Sequence, residues 1–121
     1  MTVQNISAIT LAVHDMARSV IFYRDRIGLP MLYGGEAAGF TSFRVGAGYL
    51  NLIATDKPLA WWGRSIFYVD DVDEMHSKLV EGGINTDTEP ADAPWGERYF
   101  HVTDPDGHEL SFAKPLNGTG H

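Results

Sequence analysis

The chain has 121 residues, no cysteine, and 44% hydrophobic and 21% charged residues, which suits one domain with its own core and without disulfides. Sixteen acidic against nine basic residues give a net charge of −7, which argues against a nucleic-acid partner; the charge serves solubility or a mild preference for cationic ligands. No apolar run reaches the roughly 20 residues of a membrane span, and the N-terminus lacks a secretory pattern, so we expect a cytoplasmic protein with no membrane contact.

The first half predicts one strand, one helix and three further strands. Residues 6–13 alternate small or polar with branched apolar side chains, as a half-buried strand does. Asp15 is the predicted N-cap of a helix that Gly28 ends. The apolar face of this helix recurs at spacings of one helical turn: Met16, Val20, Tyr23 and Ile27. Glycine-bounded strands then follow at 31–33, 40–45 and 49–54.

After a linker at residues 56–63, the same order of elements begins again. A strand at 65–69 precedes the N-cap Asp71, and a glycine pair closes the second helix. The apolar face of that helix comprises Val72, Met75, Leu79 and Val80. Short strands are predicted at 84–86, 98–102 and 109–113, with a turn at 104–107 between the last two. The tail at 117–121 is predicted to be frayed.

These two halves form an internal repeat. Val13 corresponds to Val69 and Asp15 to Asp71 at one constant offset, which also places Ala8 on Arg64. Identity between the halves is low, so the repeat rests on the order of elements and on the two caps. A unit this short exposes one face of its sheet, and pairing two units would bury it. We therefore expect a single domain of two modules with a cleft between curved sheets.

Several segments resemble one known family. They are residues 9–29, 67–75, the glycine pair 82–83, and residues 104–110 with their Asp-Pro-Asp-Gly turn. Together they resemble the glyoxalase/bleomycin-resistance/extradiol-dioxygenase superfamily, also called vicinal oxygen chelate proteins. The resemblance implies an α+β fold of two βαβββ modules, residues 5–55 and 63–115, forming a curved mixed-sheet cup. It also implies a homodimer and, in the enzymes of the family, a divalent metal that chelates vicinal oxygens of the substrate.

The family's metal ligands are His, Glu or Gln at four positions related by the repeat. In this sequence those positions are occupied by Ala8, Asn51, Arg64 and Ser111. Alanine has no donor atom, arginine is permanently cationic, and asparagine and serine are weak neutral ligands. A guanidinium would also repel a dication at close range. The sequence therefore predicts no metal and no cofactor at the usual site.

Other polar residues leave several interpretations open. His101 and Glu109 are weak catalytic candidates: they form an acid–base pair or half of a displaced metal site if both point into the cup, and otherwise lie on opposite faces without contact. Arg64 points either to solvent or into the cup with Ile66 and Tyr68. An inward arginine needs a partner, which is Glu109 or a carboxylate, phosphate or aromatic ring of a ligand.

The three tryptophans lie in predicted loops. Trp61 and Trp62 are in the linker between the modules, and Trp95 is in the loop at 93–97. They either cover module and dimer seams or line a pocket and stack on a flat ligand. With Asn51, Ser111 and Tyr68 they complete the candidate ligand-binding set around Arg64.

Three functions compete on this reading. The leading one is a metal-independent protein of the bleomycin-resistance-like branch that sequesters a small molecule of aromatic character. The runner-up is a lyase, isomerase or dioxygenase with a displaced site near His101 and Glu109. The third is an interaction module whose cup has lost its ligand-binding function. The absence of good metal ligands at the four positions favours binding over catalysis.

Overall fold

The computed structural model describes residues 1–116, so the predicted fraying at 117–121 lies outside the described residues. The chain divides between Ala60 and Trp61 into two compact units, each containing one four-stranded mixed sheet. The division falls within the linker that the sequence predicts at 56–63. The α+β fold class and the βαβββ order of elements are confirmed. Within the described residues, no helix has both the length and the apolar character needed to cross a membrane.

The first sheet has the strand order β1-β4-β3-β2. Its strands are β1 (Ala8–Val13), β2 (Met31–Tyr33), β3 (Phe40–Val45) and β4 (Gly48–Ala54). The first and last strands of the unit, β1 and β4, pair in parallel, and the other neighbours are antiparallel. The predicted strands agree with these bounds except that β1 begins two residues late and β4 begins one residue early. Ile6 is 80% exposed, so burial does not hold it in the strand.

The predicted first helix is present but changes its winding. It begins as an α-helix, α1 (Met16–Val20), and continues as a π-helical segment at Ile21–Ile27. The Asp15 carboxylate accepts the Arg18 N–H at 3.1 Å, which confirms the N-cap. Gly28 ends the helix in the left-handed conformation, and its N–H donates to the Tyr23 carbonyl five residues earlier. All four residues of the predicted apolar face are buried.

The second sheet has the order β5-β8-β7-β6. Its strands are β5 (Arg64–Tyr68), β6 (Ala91–Asp92), β7 (Glu97–Thr103) and β8 (Glu109–Pro115), and again the first and last pair in parallel. The predicted strand at 84–86 is wrong. The Ile84 N–H donates to the Leu79 carbonyl at 2.9 Å, so this segment finishes the helix and the short β6 occupies the sheet edge.

The second helix, α2 (Val72–Glu81), packs on β7 and β8. Its N-cap is confirmed, because the Asp71 carboxylate accepts the Glu74 N–H at 3.0 Å. Val72 and Leu79 are buried as predicted, whereas Val80 is 50% exposed and does not belong to the apolar face. Beneath the helix, the stacked rings of Phe100 and Phe112 lie 5.4 Å apart at the centre of the core.

Replacing Asp71 with alanine should lower the free energy of unfolding by about 1 kcal/mol, because the first turn of α2 loses its side-chain acceptor. Urea denaturation followed by circular dichroism measures the change. Asp70→Ala is the matched control, since it removes a neighbouring carboxylate that does not cap the helix. Equal losses in the two variants would contradict the assignment of the cap.

Candidate functional site

The two faces of the second sheet differ in chemistry because side chains alternate along each strand. The face beneath α2 is apolar and includes Phe67, Phe100, Val102, Leu110 and Phe112. The opposite face carries polar and aromatic side chains, and we call it the open face. Its residues on β5, β7 and β8 are Arg64, Ile66, Tyr68, Glu97, Tyr99, His101, Glu109, Ser111 and Ala113.

A cavity of about 300 Å³ lies on the open face. Eight residues line it: Arg64, Ile66, Trp95, Glu97, Tyr99, His101, Ser111 and Ala113. The lining combines apolar and aromatic surface with a few polar groups, which is the usual composition of a small-molecule site. All eight residues belong to the second unit.

Arg64 holds two of the predicted site residues in place. In the parallel register of β5 and β8, Arg64 lies directly opposite Glu109, and its Nη2 donates to Glu109 Oε1 at 3.0 Å. Its Nη1 lies 2.6 Å from His101 Nε2. The structure thus places His101 and Glu109 on one face with Arg64 contacting both, and the interpretation that put them on opposite faces is wrong. It also supplies Glu109 as the partner that an inward Arg64 needs.

Both ring nitrogens of His101 have polar neighbours. Arg64 Nη1 lies 2.6 Å from Nε2 and 3.0 Å from Nδ1, and Ser111 Oγ lies 2.7 Å from Nδ1. A guanidinium only donates, so Arg64 faces the lone pair of the imidazole in either tautomer. Burial, and then the nearby guanidinium of Arg64, lowers the pKa of His101 below its usual value. The imidazole is therefore neutral, and both of its nitrogens are engaged with protein groups.

Glu109 is the second acceptor in this network. The indole N–H of Trp61 donates to its Oε1 at 3.0 Å, beside the bond from Arg64. These two donors, the indole first, hold the pKa of Glu109 below its usual value. Glu109 is therefore ionised at neutral pH and cannot serve as a general acid there.

A second carboxylate, missed by the sequence reading, lies in the cavity wall. Glu97 is only 5% exposed, and its carboxylate accepts from the Tyr68 hydroxyl and from the Trp95 indole N–H, the latter at 2.9 Å. Beside it, the Trp95 and Tyr99 rings lie 5.6 Å apart and are tilted by 30°. The His101 ring follows 4.9 Å from Tyr99, so three rings form a continuous aromatic wall.

The remaining predicted residues lie elsewhere. The indole N–H of Trp62 donates to His108 Nδ1 at 2.7 Å, and Trp62 is not among the residues lining the cavity. Asn51 belongs to the first unit, where it lies opposite Thr10 and Ser42 in the sheet and its Nδ2 lies 3.3 Å from Thr10 Oγ1.

The residues of the open face do not fit a divalent metal. A dication at Arg64 would meet a guanidinium, and Arg64 Nη1 already lies within 3.0 Å of both ring nitrogens of His101. In residues 1–116, no three His, Cys, Asp or Glu side chains are grouped so that they could hold a metal ion. The chemistry of the donor set therefore disagrees with the metal site that the family resemblance implies for its enzymes.

Two successive βαβββ units, each with a four-stranded mixed sheet, define the fold class to which this chain belongs. The chain is a member of the Glyoxalase/Bleomycin resistance protein/Dioxygenase superfamily, whose sequence model matches residues 5–112. The family resemblance inferred from the sequence is therefore confirmed.

This chain is similar to several known proteins, of which three are described here. The uncharacterized protein YraH of Bacillus subtilis (strain 168) is 29% identical over 89% of this chain and 96% of its own length. The metallothiol transferase FosB of Lysinibacillus sphaericus (strain C3-41) is 28% identical over 93% of this chain and 83% of its own length. A crystal structure of a glyoxalase/bleomycin resistance protein/dioxygenase from Nocardioides has a TM-score of 0.79, 21% identity, and coverage of 100% of this chain and 91% of that one.

Replacing Arg64 with methionine should raise the pKa of His101, because the positive charge beside the imidazole is removed. NMR titration of the His101 ring proton measures the shift. Arg98→Met is the matched control, because Arg98 lies on β7 with His101 but points to the helix side, where it donates to Asp73. A His101 titration unchanged by Arg64→Met would contradict the assigned contact.

Proposed function

We propose that this protein binds and sequesters a small, aromatic molecule without a metal and without making or breaking bonds in it. The observation that carries the proposal is the guanidinium of Arg64, which occupies one of the family's ligand positions and is held by Glu109 and His101. Next to it lies a cavity of about 300 Å³ walled by Trp95, Tyr99 and His101. Stacking against such rings binds flat ligands without polar chemistry.

A second candidate function is catalysis at a displaced site around His101 and Glu109. The observation in its favour is that both side chains contact Arg64 on one open face, with Ser111 beside His101. A general base, however, needs an available lone pair, and Arg64 Nη1 lies within 3.0 Å of both ring nitrogens of His101, so the lone pair already faces a donor. Binding is therefore the better-supported function.

We further propose that the protein acts in the cytoplasm as a homodimer. The support is the expectation from the family, together with large apolar side chains exposed on the open face, such as Ile66 at 58% and Tyr68 at 49%. Light scattering should give about twice the chain mass of 13.4 kDa, and a monomer at micromolar concentration would contradict this part of the proposal.

The main test is a thermal-shift screen of aromatic compounds on chelator-treated protein. We expect hits to raise the melting temperature without added metal, because a ligand that binds only the folded state stabilises it. Elemental analysis of gently purified protein should give far less than one transition metal per chain, in the parent and in Arg64→His alike. A stoichiometric metal, or hits that require one, would contradict metal independence.

The variants Trp95→Leu and Trp62→Leu locate the site. Trp95→Leu should weaken the hits by about 1 kcal/mol or more, because it removes one ring of the aromatic wall. Trp62→Leu removes a tryptophan that does not line the cavity, so it is the matched control. Fluorescence titration measures both affinities. Equal binding of every hit by parent and Trp95→Leu would exclude this cavity as the site.

A further inference from the structure

Arg64 keeps hydrogen-bond donors that the protein itself does not use. A guanidinium has five N–H groups and no acceptor. Nη1 is directed at His101 and Nη2 donates to Glu109, so among residues 1–116 the Nε hydrogen and the second Nη2 hydrogen have no protein acceptor. The Arg64 side chain is 32% exposed and lines the cavity, where a bound molecule can reach these donors.

Several other polar groups of the cavity wall are already engaged with one another. The indole N–H of Trp95 donates to Glu97 Oε1 at 2.9 Å, so Trp95 presents the face of its ring to a ligand and not its donor. That ring is 62% exposed. Ser111 Oγ lies 2.7 Å from His101 Nδ1. The wall therefore offers ring faces at one end and the N–H groups of Arg64 at the other.

The ring faces and the guanidinium are contiguous. The Trp95 and Tyr99 rings lie 5.6 Å apart, and the His101 ring follows 4.9 Å from Tyr99. Arg64 Nη1 then lies 2.6 Å from His101 Nε2. A flat ring system on this wall has one edge toward Arg64, and an acceptor must sit on that edge to come within the roughly 3 Å of a hydrogen bond.

The ion pair of Arg64 with Glu109 decides the charge of that acceptor. Arg64 Nη2 lies 3.0 Å from Glu109 Oε1, and the indole N–H of Trp61 holds the same oxygen at 3.0 Å. An anionic ligand would compete with this carboxylate and would approach a chain of net charge −7. A neutral oxygen accepts from the remaining N–H groups without breaking the pair, and its binding does not depend on the protonation state of Glu97.

We infer that the ligand of this cavity is a neutral, flat aromatic molecule with a carbonyl-type oxygen on the edge of its ring system, which accepts a hydrogen bond from Arg64. This inference rests on the proposed binding function and adds the polar group of the ligand. A hydrogen bond from a charged donor is stronger than one between neutral groups, so Arg64 separates oxygen-bearing ligands from plain aromatic ones.

The test compares three probes that share one bicyclic skeleton: oxindole, which carries a carbonyl oxygen, indole, which lacks it, and indole-2-carboxylate, which carries a negative charge. Isothermal titration calorimetry on chelator-treated protein measures each dissociation constant. We expect oxindole to bind about tenfold more tightly than indole, and more tightly than the carboxylate. Tightest binding of indole or of the carboxylate would overturn the inference while leaving the proposed binding function intact. Failure of all three to bind would overturn both.

Arg64→Met assigns the preference to the guanidinium. It removes all five donors from a side chain of similar length, so it should weaken oxindole about tenfold and change indole by less than about twofold. Equal weakening of both probes, or of neither, would overturn the contact with Arg64. Should Arg64→Met melt well below the parent, the double variant Arg64→Met/Glu109→Gln takes its place with the same expectations, because it leaves no carboxylate without its partner.

Glu109→Gln tests the charge of the ligand separately. The amide oxygen of glutamine still accepts from Arg64, but the negative charge that competes with an anion is gone. Indole-2-carboxylate should therefore bind more tightly than to the parent, whereas oxindole should change by less than about twofold. Unchanged binding of the carboxylate, or a loss of oxindole binding, would overturn the assignment of a neutral ligand to an intact ion pair.

Discussion

The parallel pairing of β5 with β8 is the constraint on which the open face depends. It places Arg64 opposite Glu109 and Phe67 opposite Phe112 in the same register. A slip of one residue would turn Glu109 toward α2 and Leu110 toward the cavity, since side chains alternate along a strand. A carboxylate beneath α2 would lie among phenylalanine rings without a partner, at a cost of several kcal/mol. The apolar core that sets the register therefore also sets the ion pair on the other face.

The helix caps and the face to which each strand residue points can largely be predicted from the sequence, because both follow from the periodic spacing of apolar and polar residues. Both N-caps, Asp15 and Asp71, are readable from a short polar residue placed before an apolar helical face. Strand parity likewise places Arg64, Ile66 and Tyr68 on one face. The same parity extends to Tyr99 and Glu97, two and four residues before His101. The predicted strand at 98–102 stops short of Glu97, so its place on the open face depends on the longer strand β7 that forms in the fold.

Other features depend on contacts that periodicity does not encode. Residues 84–86 have the composition of a strand, but the Ile84 N–H closes the end of α2, and tertiary hydrogen bonding overrides the local preference. The apolar residues in Ile21–Ile27 have the spacing expected of an α-helix, so the sequence does not indicate the π-helical winding that the structure has there. The bond from Trp61 to Glu109 joins residues 48 positions apart, and only the folded register brings them together.

The guanidinium of Arg64 differs from a metal ion in how a cell acquires it. A metal must be imported and delivered, and its ligands must be deprotonated before it binds. A guanidinium is part of the translated chain, stays protonated across the physiological range and has no redox chemistry. Arg64 reaches its position opposite Glu109 as soon as β5 and β8 pair. The polar network of the open face therefore forms during folding and requires no later assembly step.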